Sequence, residues 1–293
     1  MSGAVEAGAS ALAADARLFA ASPDEARRIS LPYALTMRDV DFAYGKAPVL
    51  KGFNLGVPSG ILMGVVGPNG SGKSTVLKLA AGLAAPAAGE VLLRDGSCAV
   101  GALSARERAR QVSYLPQRMP LPNMTVEELA LCGRHAYRRL LAPMDARDVR
   151  AAHTAMDEAG VLRLKGRPVR ELSGGQRQRA YLAMLLSQDA RLMLLDEPTS
   201  ALDIGAAHEM LSLVRRVVHD GGRTAVAVLH DLDLALRYCD EIAVMAQGRL
   251  MGRGAPSDVA EGGLLEEAFR ISVIRHASPD GPCYTFHPRP AGA

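Results

Sequence analysis

The sequence lacks tryptophan altogether, and aromatic residues make up only 4% of its 293 residues. So few aromatic side chains offer no platform on which nucleic-acid bases could stack. Charge of one sign is not in excess either, because the net charge at pH 7 is only +3. Lysine supplies just five of the 34 basic residues. Composition therefore gives no reason to expect a nucleic-acid partner.

Long hydrophobic runs are missing as well. No stretch approaches the roughly 18 uninterrupted apolar residues of a membrane-spanning helix. The N-terminal stretch is rich in alanine, but Glu6 and Asp15 interrupt it and no basic segment precedes it, so we expect no signal peptide. We predict a cytosolic chain whose role at any membrane depends on a partner protein.

Candidate metal ligands are few and scattered. The four cysteines lie far apart without a C-x-x-C pair, at Cys98, Cys132, Cys239 and Cys283. This spacing favours a reducing compartment over a disulfide framework or a zinc site. Six of the seven histidines show no metal-ligand spacing and are assigned to the surface or to packing, namely His135, His153, His208, His219, His276 and His287.

Apolar and helical patterns alternate along most of the chain. Apolar segments predict strands, the first at the edge of a sheet, at Leu35–Tyr44, Gly60–Val66, Leu192–Leu195, Thr224–Leu229 and Ile242–Met245. Helical patterns occupy Ser74–Leu83, Asp145–Ala159 with Gly160 as its end, the segment after Gly175, and Ala206–Val218. Strands that alternate with helices of this length predict a parallel sheet with crossover connections.

Other segments stand outside this alternation. Residues 1–34 are interpreted as a loose extension with a short helix near Asp15–Ile29. The middle of the chain, roughly Gln117–Arg170, has a helical pattern and is interpreted as an insertion into the α/β core. Capping boxes predict helix starts at Ser104 with Glu107 and at Thr125 with Glu128.

A glycine-rich segment connects the predicted strand at 60–66 to the predicted helix at 74–83. It satisfies the pattern G-x-x-x-x-G-K-[ST] with Gly67, Pro68, Asn69, Gly70, Ser71, Gly72, Lys73, Ser74 and Thr75. The backbone N–H groups of such a loop wrap around phosphates, and the helix N-terminus adds its positive dipole end. Lys73 would reach the β- and γ-phosphates, and the Ser74 hydroxyl would bind Mg²⁺. The alternative, a turn with an incidental lysine, is disfavoured because lysine is scarce here.

Two adjacent carboxylates, Asp196 and Glu197, follow the apolar segment Leu192–Leu195. The carboxyl end of a strand is where a parallel sheet places its functional groups. Asp196 is suited to hold Mg²⁺, usually through water, and Glu197 to polarise an attacking water. In isolation, the same pair also fits an acidic helix cap before Pro198.

A second glycine-rich segment, Leu172–Gln176, precedes a helix and lies about 20 residues before the acidic strand. A serine and two glycines at a helix start make an anion site. Because the chain already has one phosphate site, the second is most useful if it serves the nucleotide of another subunit. As a bare pentapeptide, it also fits a flexible helix cap.

Together these segments resemble the ATP-binding subunit of ABC transporters, from about Leu35 to Asp258. They are similar to the Walker A loop, the Walker B strand and the ABC signature. Four further similarities follow the order of the family: Tyr44 for the adenine-stacking aromatic, Gln117 in YLPQ for the Q-loop, Ser200–Asp203 for the D-loop, and His230 in VLHD for the switch histidine.

The resemblance implies the α/β fold of P-loop NTPases in its ABC ATPase form. This fold has a RecA-like core, a small antiparallel β subdomain and an inserted helical subdomain. The implied division of the chain is a loose extension at 1–34, an ABC ATP-binding domain at 35–258 with its helical subdomain at about 117–170, and a C-terminal tail at 259–293.

The resemblance also implies an ATPase in which two copies of the chain enclose ATP and Mg²⁺. The implied catalytic residues are Glu197, His230, Gln117 and Lys73, and the implied metal ligands are Ser74, Gln117 and Asp196. Nucleotide contacts would come from Tyr44, from Gly67–Thr75 and, in the other copy, from Ser173, Gly174, Gly175 and Gln176. Without the family order, a lone His230 would be assigned a structural role and Tyr44 would be assigned to the core.

Finer similarities favour the branch that energises import of ferric siderophores, haem and cobalamin, with siderophores first. They lie at Gly133–Arg134, Tyr137, Ala155–Met156, Glu171–Ser187, Leu202–Ile204, Ala235–Asp240, Ala268–Ser272 and Gly281–Pro282. The implied partners are an integral membrane permease and, indirectly, a substrate-binding protein. The implied location is the cytoplasmic face of the inner membrane, reached through the permease, which we predict to dock beside Gln117 against Arg118–Arg138.

A nucleic-acid-associated ABC ATPase is the alternative from another class. Chromosome-maintenance and repair members would need a long coiled coil between phosphate loop and signature, but only 100 positions separate Lys73 from Ser173, without sustained heptads. Translation-type members would carry two cassettes, whereas this sequence contains one.

Overall fold

The computed structural model describes residues 32–138, 144–278 and 282–289. The predicted helix near Asp15–Ile29 and nearly all of the predicted extension lie outside the described residues. The strands are β1 (Tyr33–Tyr44), β2 (Ala47–Pro58), β3 (Leu62–Val66), β4 (Ala88–Leu93), β5 (Cys98–Ala99), β6 (Val112–Leu115), β7 (Leu192–Asp196), β8 (Thr224–Val228), β9 (Glu241–Ala246), β10 (Arg249–Gly254), β11 (Ile271–His276) and β12 (Cys283–Pro288). The α-helices are α1 (Lys73–Ala80), α2 (Ala105–Ala109), α3 (Val126–Cys132), α4 (Ala146–Glu158), α5 (Gly174–Ser187), α6 (Ile204–Gly221), α7 (Leu232–Tyr238), α8 (Pro256–Glu261) and α9 (Leu264–Phe269).

A six-stranded sheet forms the centre of the molecule, in the order β10-β9-β3-β8-β7-β6. Neighbouring strands from β9 to β6 are parallel, and only β10 runs antiparallel to its neighbour β9. Helices follow β3, β7 and β8, as crossover connections require. The predicted α/β architecture with a parallel sheet is therefore confirmed.

Apolar side chains on both faces of this sheet explain why its strands are continuous hydrophobic runs. Successive side chains of a strand point to opposite faces, so one strand contributes to two cores. On β3, Leu62 and Val66 join one cluster, whereas Met63 and Val65 join the other. The strand carrying the acidic pair is buried along its whole length, which fixes its carboxyl end in place.

A four-stranded antiparallel sheet lies beside this core, in the order β2-β1-β4-β5. Strand β1 pairs with β2 on one side and β4 on the other, so the prediction of an edge strand at Leu35–Tyr44 was wrong. The charges that suggested an edge lie at an irregularity between Met37 and Val40. There Asp39 exchanges two hydrogen bonds with the side chain of Asn54, at 2.9 and 3.0 Å.

Helix α1 begins and ends close to the predicted bounds, but it is shorter than Ser74–Leu83. Gly82 takes a left-handed conformation at φ +64°, and the N–H of Leu83 turns back to the carbonyl of Lys78 at 2.9 Å. Glycine accepts this conformation without steric cost, which is why helices commonly end there.

The capping predictions are confirmed. Reciprocal capping boxes start α2 at Ser104 with Glu107, and α3 at Thr125 with Glu128. The Asp145 carboxylate accepts hydrogen bonds from two backbone N–H groups at the start of α4, and this bonding holds its pKa below the usual value.

The helical stretch between β6 and β7 contains α3, α4 and α5, with 3₁₀ turns at Gly133–Ala136, Leu162–Leu164 and Val169–Glu171. Arg134 ties these helices together. Its guanidinium lies 4.1 Å from the ring centre of Tyr137, donates to the carbonyl of Ser187 at 2.8 Å, and pairs with Asp148 at 3.2 Å. An arginine that is largely shielded from solvent and bonded to several groups holds its neighbours in one arrangement.

Beyond β10 the described chain continues as α8, α9 and the antiparallel pair β11–β12. Ile271, Val273 and Phe286 of this pair pack against the larger core, so the region that the sequence suggested only as a tail contains regular structure. Across the described ranges, no helix is both long and apolar enough to cross a bilayer.

Candidate functional site

The candidate site lies at the carboxyl edge of the parallel sheet. Strand β3 leads into the glycine-rich loop, β7 ends at Asp196, and β8 leads towards His230. Strand β8 lies between the other two, and Asp196 is directly opposite Val228 on it. Parallel strands deliver their loops to the same edge, so three motifs that are distant in the sequence become neighbours.

The loop from Gly67 to Gly72 packs closely against the segment after β9 and against the end of β9 itself. A Cβ atom at Gly67 would lie 2.1 Å from the carbonyl oxygen of Met245, so only glycine fits there. The loop is fixed further by the N–H of Gly248, which donates to the carbonyl of Ser71 at 3.2 Å. The backbone therefore has a defined curvature before α1 starts.

Two features of this loop suit phosphate oxygens. Helix α1 starts after Gly72 without a side-chain cap, which leaves its first N–H groups available to an anion. The Ser71 hydroxyl is buried and has no hydrogen-bond partner among the described residues. Because buried polar atoms in folded proteins almost always have partners, this orphaned hydroxyl fits a loop built around a phosphate.

Lys73 starts α1 and is buried, with 6% of its surface exposed. Its ammonium donates to the carbonyls of Gly67 and Pro68 at 2.8 and 2.9 Å, so it lies over the loop. Burial lowers the pKa of Lys73, and the nearby carboxylates of Glu197 and Asp196 oppose that shift. An added anionic phosphate would stabilise the charged form in the same way.

Asp196 accepts a hydrogen bond on each carboxylate oxygen. The Ser74 hydroxyl donates to one oxygen at 2.8 Å, and the Tyr114 hydroxyl donates to the other at 3.1 Å. Hydroxyl and carboxylate oxygens are the ligands that Mg²⁺ prefers, so the paired side chains of Ser74 and Asp196 fit a magnesium ion. Within the described residues, no cluster of three or more His, Cys, Asp or Glu is placed to hold a metal; phosphate oxygens would complete the coordination.

Tyr114 was missed by the sequence reasoning. It lies on β6, three residues before Gln117, and burial followed by the charge of Asp196 raises its pKa. The only signal in the sequence was its place in the YLPQ segment, which says nothing about a contact with a residue 82 positions away.

Glu197 lies between Gln117 and His230. The Gln117 amide donates to one carboxylate oxygen at 2.6 Å, and the imidazole of His230 lies 2.6 Å from the other. The Glu197 side chain is 12% exposed, and its backbone takes the left-handed conformation at φ +53°. Such a conformation is uncommon for a residue with a side chain and is enriched at functional sites.

The second glycine-rich segment does not join this cluster. Ser173 caps α5 in a reciprocal box with Gln176, and within the described residues neither bonds to the phosphate loop. Instead, a Cβ on Gly174 would lie 3.3 Å from the carbonyl of Ala201, and one on Gly175 would lie 3.6 Å from Ala206. The segment therefore packs on residues 201–206, with Ser173 exposed at the surface.

Tyr44 is placed at the end of β1, where it pairs with Ala47 across the turn to β2. Half of its surface is exposed, and its ring meets that of Phe42 edge-on at 4.9 Å between centres. An exposed ring supported on one side is available for stacking. A core position, the alternative considered for an isolated Tyr44, does not apply.

Comparison with known proteins identifies relatives of this chain. The family model described as ABC transporter matches residues 50–200. The chain is 37% identical over 232 residues to the ferric enterobactin transport ATP-binding protein FepC of Escherichia coli, covering 79% of this chain and 85% of FepC. It is 34% identical over 241 residues to the iron(3+)-hydroxamate import ATP-binding protein FhuC of Bacillus subtilis, covering 82% and 89%.

Solved structures show the same fold. The ADP conformation of MJ1267, an ATP-binding cassette of an ABC transporter, aligns with a TM-score of 0.73 at 24% identity, covering 82% of this chain and 99% of that one. These matches confirm both the resemblance inferred from the motifs and the predicted ABC ATPase fold. The chain belongs to the ABC transporter family, as an ATP-binding cassette that hydrolyses ATP.

Proposed function

We propose that this cassette energises the import of a ferric siderophore or a related iron chelate through a separate permease. The observation that carries the ATPase half of the proposal is the Glu197 carboxylate, held between Gln117 and His230 at 2.6 Å on each side beside the buried Lys73. The substrate class is supported by the two relatives whose names specify ferric enterobactin and iron(3+)-hydroxamate.

Binding of ATP uses Lys73, the glycine-rich loop, the start of α1 and Tyr44. Lys73 exchanges the carbonyls of Gly67 and Pro68 for the β- and γ-phosphates, and the first N–H groups of α1 and the Ser71 hydroxyl donate to phosphate oxygens. The ring of Tyr44 stacks on the adenine. Residues Pro68, Asn69, Gly70, Gly72 and Thr75 complete the loop around the phosphates.

Hydrolysis depends on Glu197. Its carboxylate accepts a hydrogen bond from the attacking water and orients it in line with the γ-phosphate, while His230 contacts the γ-phosphate. Ser74, Asp196 and Gln117 would hold Mg²⁺, and the ion would supply positive charge that neutralises the phosphates. No covalent intermediate is expected.

The complete site requires a second copy of the chain. Ser173, Gly174, Gly175 and Gln176 lie away from the phosphate loop of their own chain, so we propose that they meet the nucleotide of the partner in a sandwich dimer. We also propose that residues 35–258 form the ATP-binding domain, with a helical subdomain at about 117–170, and that residues 1–34 and 259–293 lie outside it.

A permease is proposed to dock on the loop after Gln117. The carbonyl of Pro120 accepts a hydrogen bond from the Tyr181 hydroxyl at 2.6 Å, which anchors the loop, while Leu121 is 59% exposed. An anchored apolar side chain in a proline-bearing loop suits a partner groove. Through this contact the cassette is peripheral to the cytoplasmic face of the membrane, and the permease in turn receives cargo from a substrate-binding protein.

The catalytic assignment is tested by Glu197→Gln, with Glu90→Gln on the exposed surface of β4 as the control. We expect Glu197→Gln to bind ATP normally, to lose about 100-fold or more of its hydrolysis rate, and to accumulate as an ATP-bound dimer in size-exclusion chromatography. Hydrolysis at the rate of the wild type would remove Glu197 from this role.

The substrate class is tested by uptake. In a strain that lacks the gene and any redundant cassette, the uptake of labelled ferric siderophore, haem and cobalamin is measured under iron limitation. We expect only ferric siderophore uptake to be lost, and the wild-type gene but not the Glu197→Gln gene to restore it. Loss of haem or cobalamin uptake alone would support that alternative, and stimulation of hydrolysis by DNA would support the nucleic-acid alternative.

A further inference from the structure

We infer that Gln178 is a positioning residue that ties the signature helix to the segment carrying Glu197; this inference rests on the proposed function. Gln178 lies on α5 and is only 6% exposed. Its side-chain amide donates to the carbonyl of Pro198 at 2.6 Å. Pro198 directly follows Glu197 in the chain, so the bond is made next to the residue that orients the water.

Few backbone hydrogen bonds hold the segment that receives this bond. The N–H of Glu197 donates to the carbonyl of Val228 at 3.2 Å, and the N–H of Ser200 donates to the carbonyl of Glu197 at 3.3 Å. Pro198 has no N–H group, so its carbonyl is the only backbone polar group that it can use. The bond from Gln178 therefore supports the chain where its backbone leaves the strand in the left-handed conformation of Glu197.

The donor of the bond, Gln178, lies on the helix that begins in the signature segment. Gln178 lies one helical turn after Gly174, on the same face of α5. At that face the two glycines of the signature pack on residues 201–206 through van der Waals contacts, which are weakly directional. In the part of the chain that the structure describes, the Gln178 amide makes the one side-chain hydrogen bond from α5 to the segment Glu197–Asp203.

This geometry links the two nucleotide sites of the proposed dimer. Ser173–Gln176 of one chain would contact the nucleotide held by its partner, and the same helix holds Pro198 through Gln178. A shift of α5 on engagement with the partner's nucleotide therefore reaches Glu197 through one short, directional bond. The expected consequence is that the water-orienting carboxylate is placed correctly only after the dimer has closed.

The test uses Gln178→Met, which keeps an unbranched side chain of similar length but removes the donor. The matched control is Gln188→Met: the Gln188 amide also donates to backbone carbonyls, of Ala109 at 2.6 Å and Val112 at 2.9 Å, at the far end of the same helix. Loss of either amide leaves carbonyl groups unpaired and destabilises the fold, so general destabilisation affects both variants.

We expect Gln178→Met to lower kcat about tenfold, because a misplaced catalytic group costs rate rather than binding, while nucleotide affinity stays within about twofold. Gln188→Met should keep a kcat within about twofold of the wild type. In a Glu197→Gln background, Gln178→Met should still form the ATP-bound dimer. If Gln178→Met does not fold, Gln178→Asn, which withdraws the amide by one methylene, replaces it with the same expectations.

An unchanged kcat in Gln178→Met would overturn the inference, and so would an equal loss in Gln188→Met or a parallel loss of nucleotide affinity. Failure of the proposed function would give different results: the wild type would show no ATP hydrolysis, or Glu197→Gln would not accumulate the ATP-bound dimer. An active wild type with a normal Gln178→Met variant rejects only the role of Gln178.

Discussion

Asp196 receives one hydroxyl donor on each of its carboxylate oxygens, from Ser74 and from Tyr114. Ser74 would itself bind the proposed metal ion, whereas Tyr114 contacts Asp196 from the neighbouring strand β6. Outer partners of this kind orient a metal ligand and keep its other oxygen directed at the ion. Tyr114 is therefore expected to matter through Asp196 and not through the nucleotide itself.

Replacing Tyr114 with phenylalanine tests this role. Tyr114→Phe removes the donor but keeps the ring, so we expect the Mg²⁺ concentration that gives half-maximal hydrolysis to rise about tenfold, with cooperative thermal unfolding retained. Tyr137→Phe is the matched control, because the Tyr137 ring is also half-buried but lies against Arg134, away from Asp196. An identical Mg²⁺ dependence in Tyr114→Phe and the wild type would contradict the role.

At the scale of elements, capping boxes of the same kind start two helices that have different proposed roles. Ser104 starts α2 and Ser173 starts α5, each in a reciprocal box with a residue three positions later. A serine hydroxyl can accept from the helix backbone and still has a hydrogen to donate. The Ser173 hydroxyl can therefore cap its own helix and also donate a hydrogen bond to a phosphate of the nucleotide held by the partner in the proposed dimer.

Substitution of the two capping serines distinguishes an effect on stability from an effect on activity. Ser173→Ala and Ser104→Ala should each lower the free energy of unfolding by about 1 kcal/mol, the usual effect of losing a capping hydroxyl. Only Ser173→Ala should also slow ATP hydrolysis, because only Ser173 faces the nucleotide in the proposed dimer. Chemical denaturation and steady-state hydrolysis measure the two effects. Equal hydrolysis rates in both variants would reject the contact between Ser173 and the partner's nucleotide.

At the scale of the whole molecule, two leucines are similarly exposed at different places. Leu121 is 59% exposed in the anchored loop after Gln117, and Leu83 is 62% exposed just beyond α1. Burial against a partner would stabilise an exposed leucine by removing its apolar surface from water. Of these two leucines, Leu121 lies in a loop that is continuous with Gln117 and, through it, with Glu197, so the proposed docking at Leu121 would reach the ATPase site.

Substitution of these leucines tests the docking surface. Leu121→Asp should leave hydrolysis by the isolated cassette unchanged but abolish co-purification with the permease, because a carboxylate would have to be desolvated in the interface. Leu83→Asp should affect neither property. Normal co-purification of Leu121→Asp, or equal loss with Leu83→Asp, would move the permease to another surface.

Much of the site was predictable because its motifs are contiguous. The loop Gly67–Thr75, the strand ending in Asp196 and the capped signature at Ser173 each depend on residues within about ten positions of one another. Local patterns of this kind encode their own conformation through glycine, capping residues and apolar runs. What could not be predicted is the position of β1, because an interior strand and an edge strand differ only in distant pairing partners.

The sequence by itself determined the family, the α/β class, the glycine-rich loop before α1, the acidic pair after the apolar strand and the capped helix starts, since each follows from neighbouring residues. Only the tertiary structure decided that Tyr114 reaches Asp196, that Gln117 and His230 enclose Glu197, that Gln178 holds Pro198 and that β11 and β12 pair. These contacts join residues from different strands and helices. Their geometry depends on the register and packing of the sheets, which no local pattern specifies.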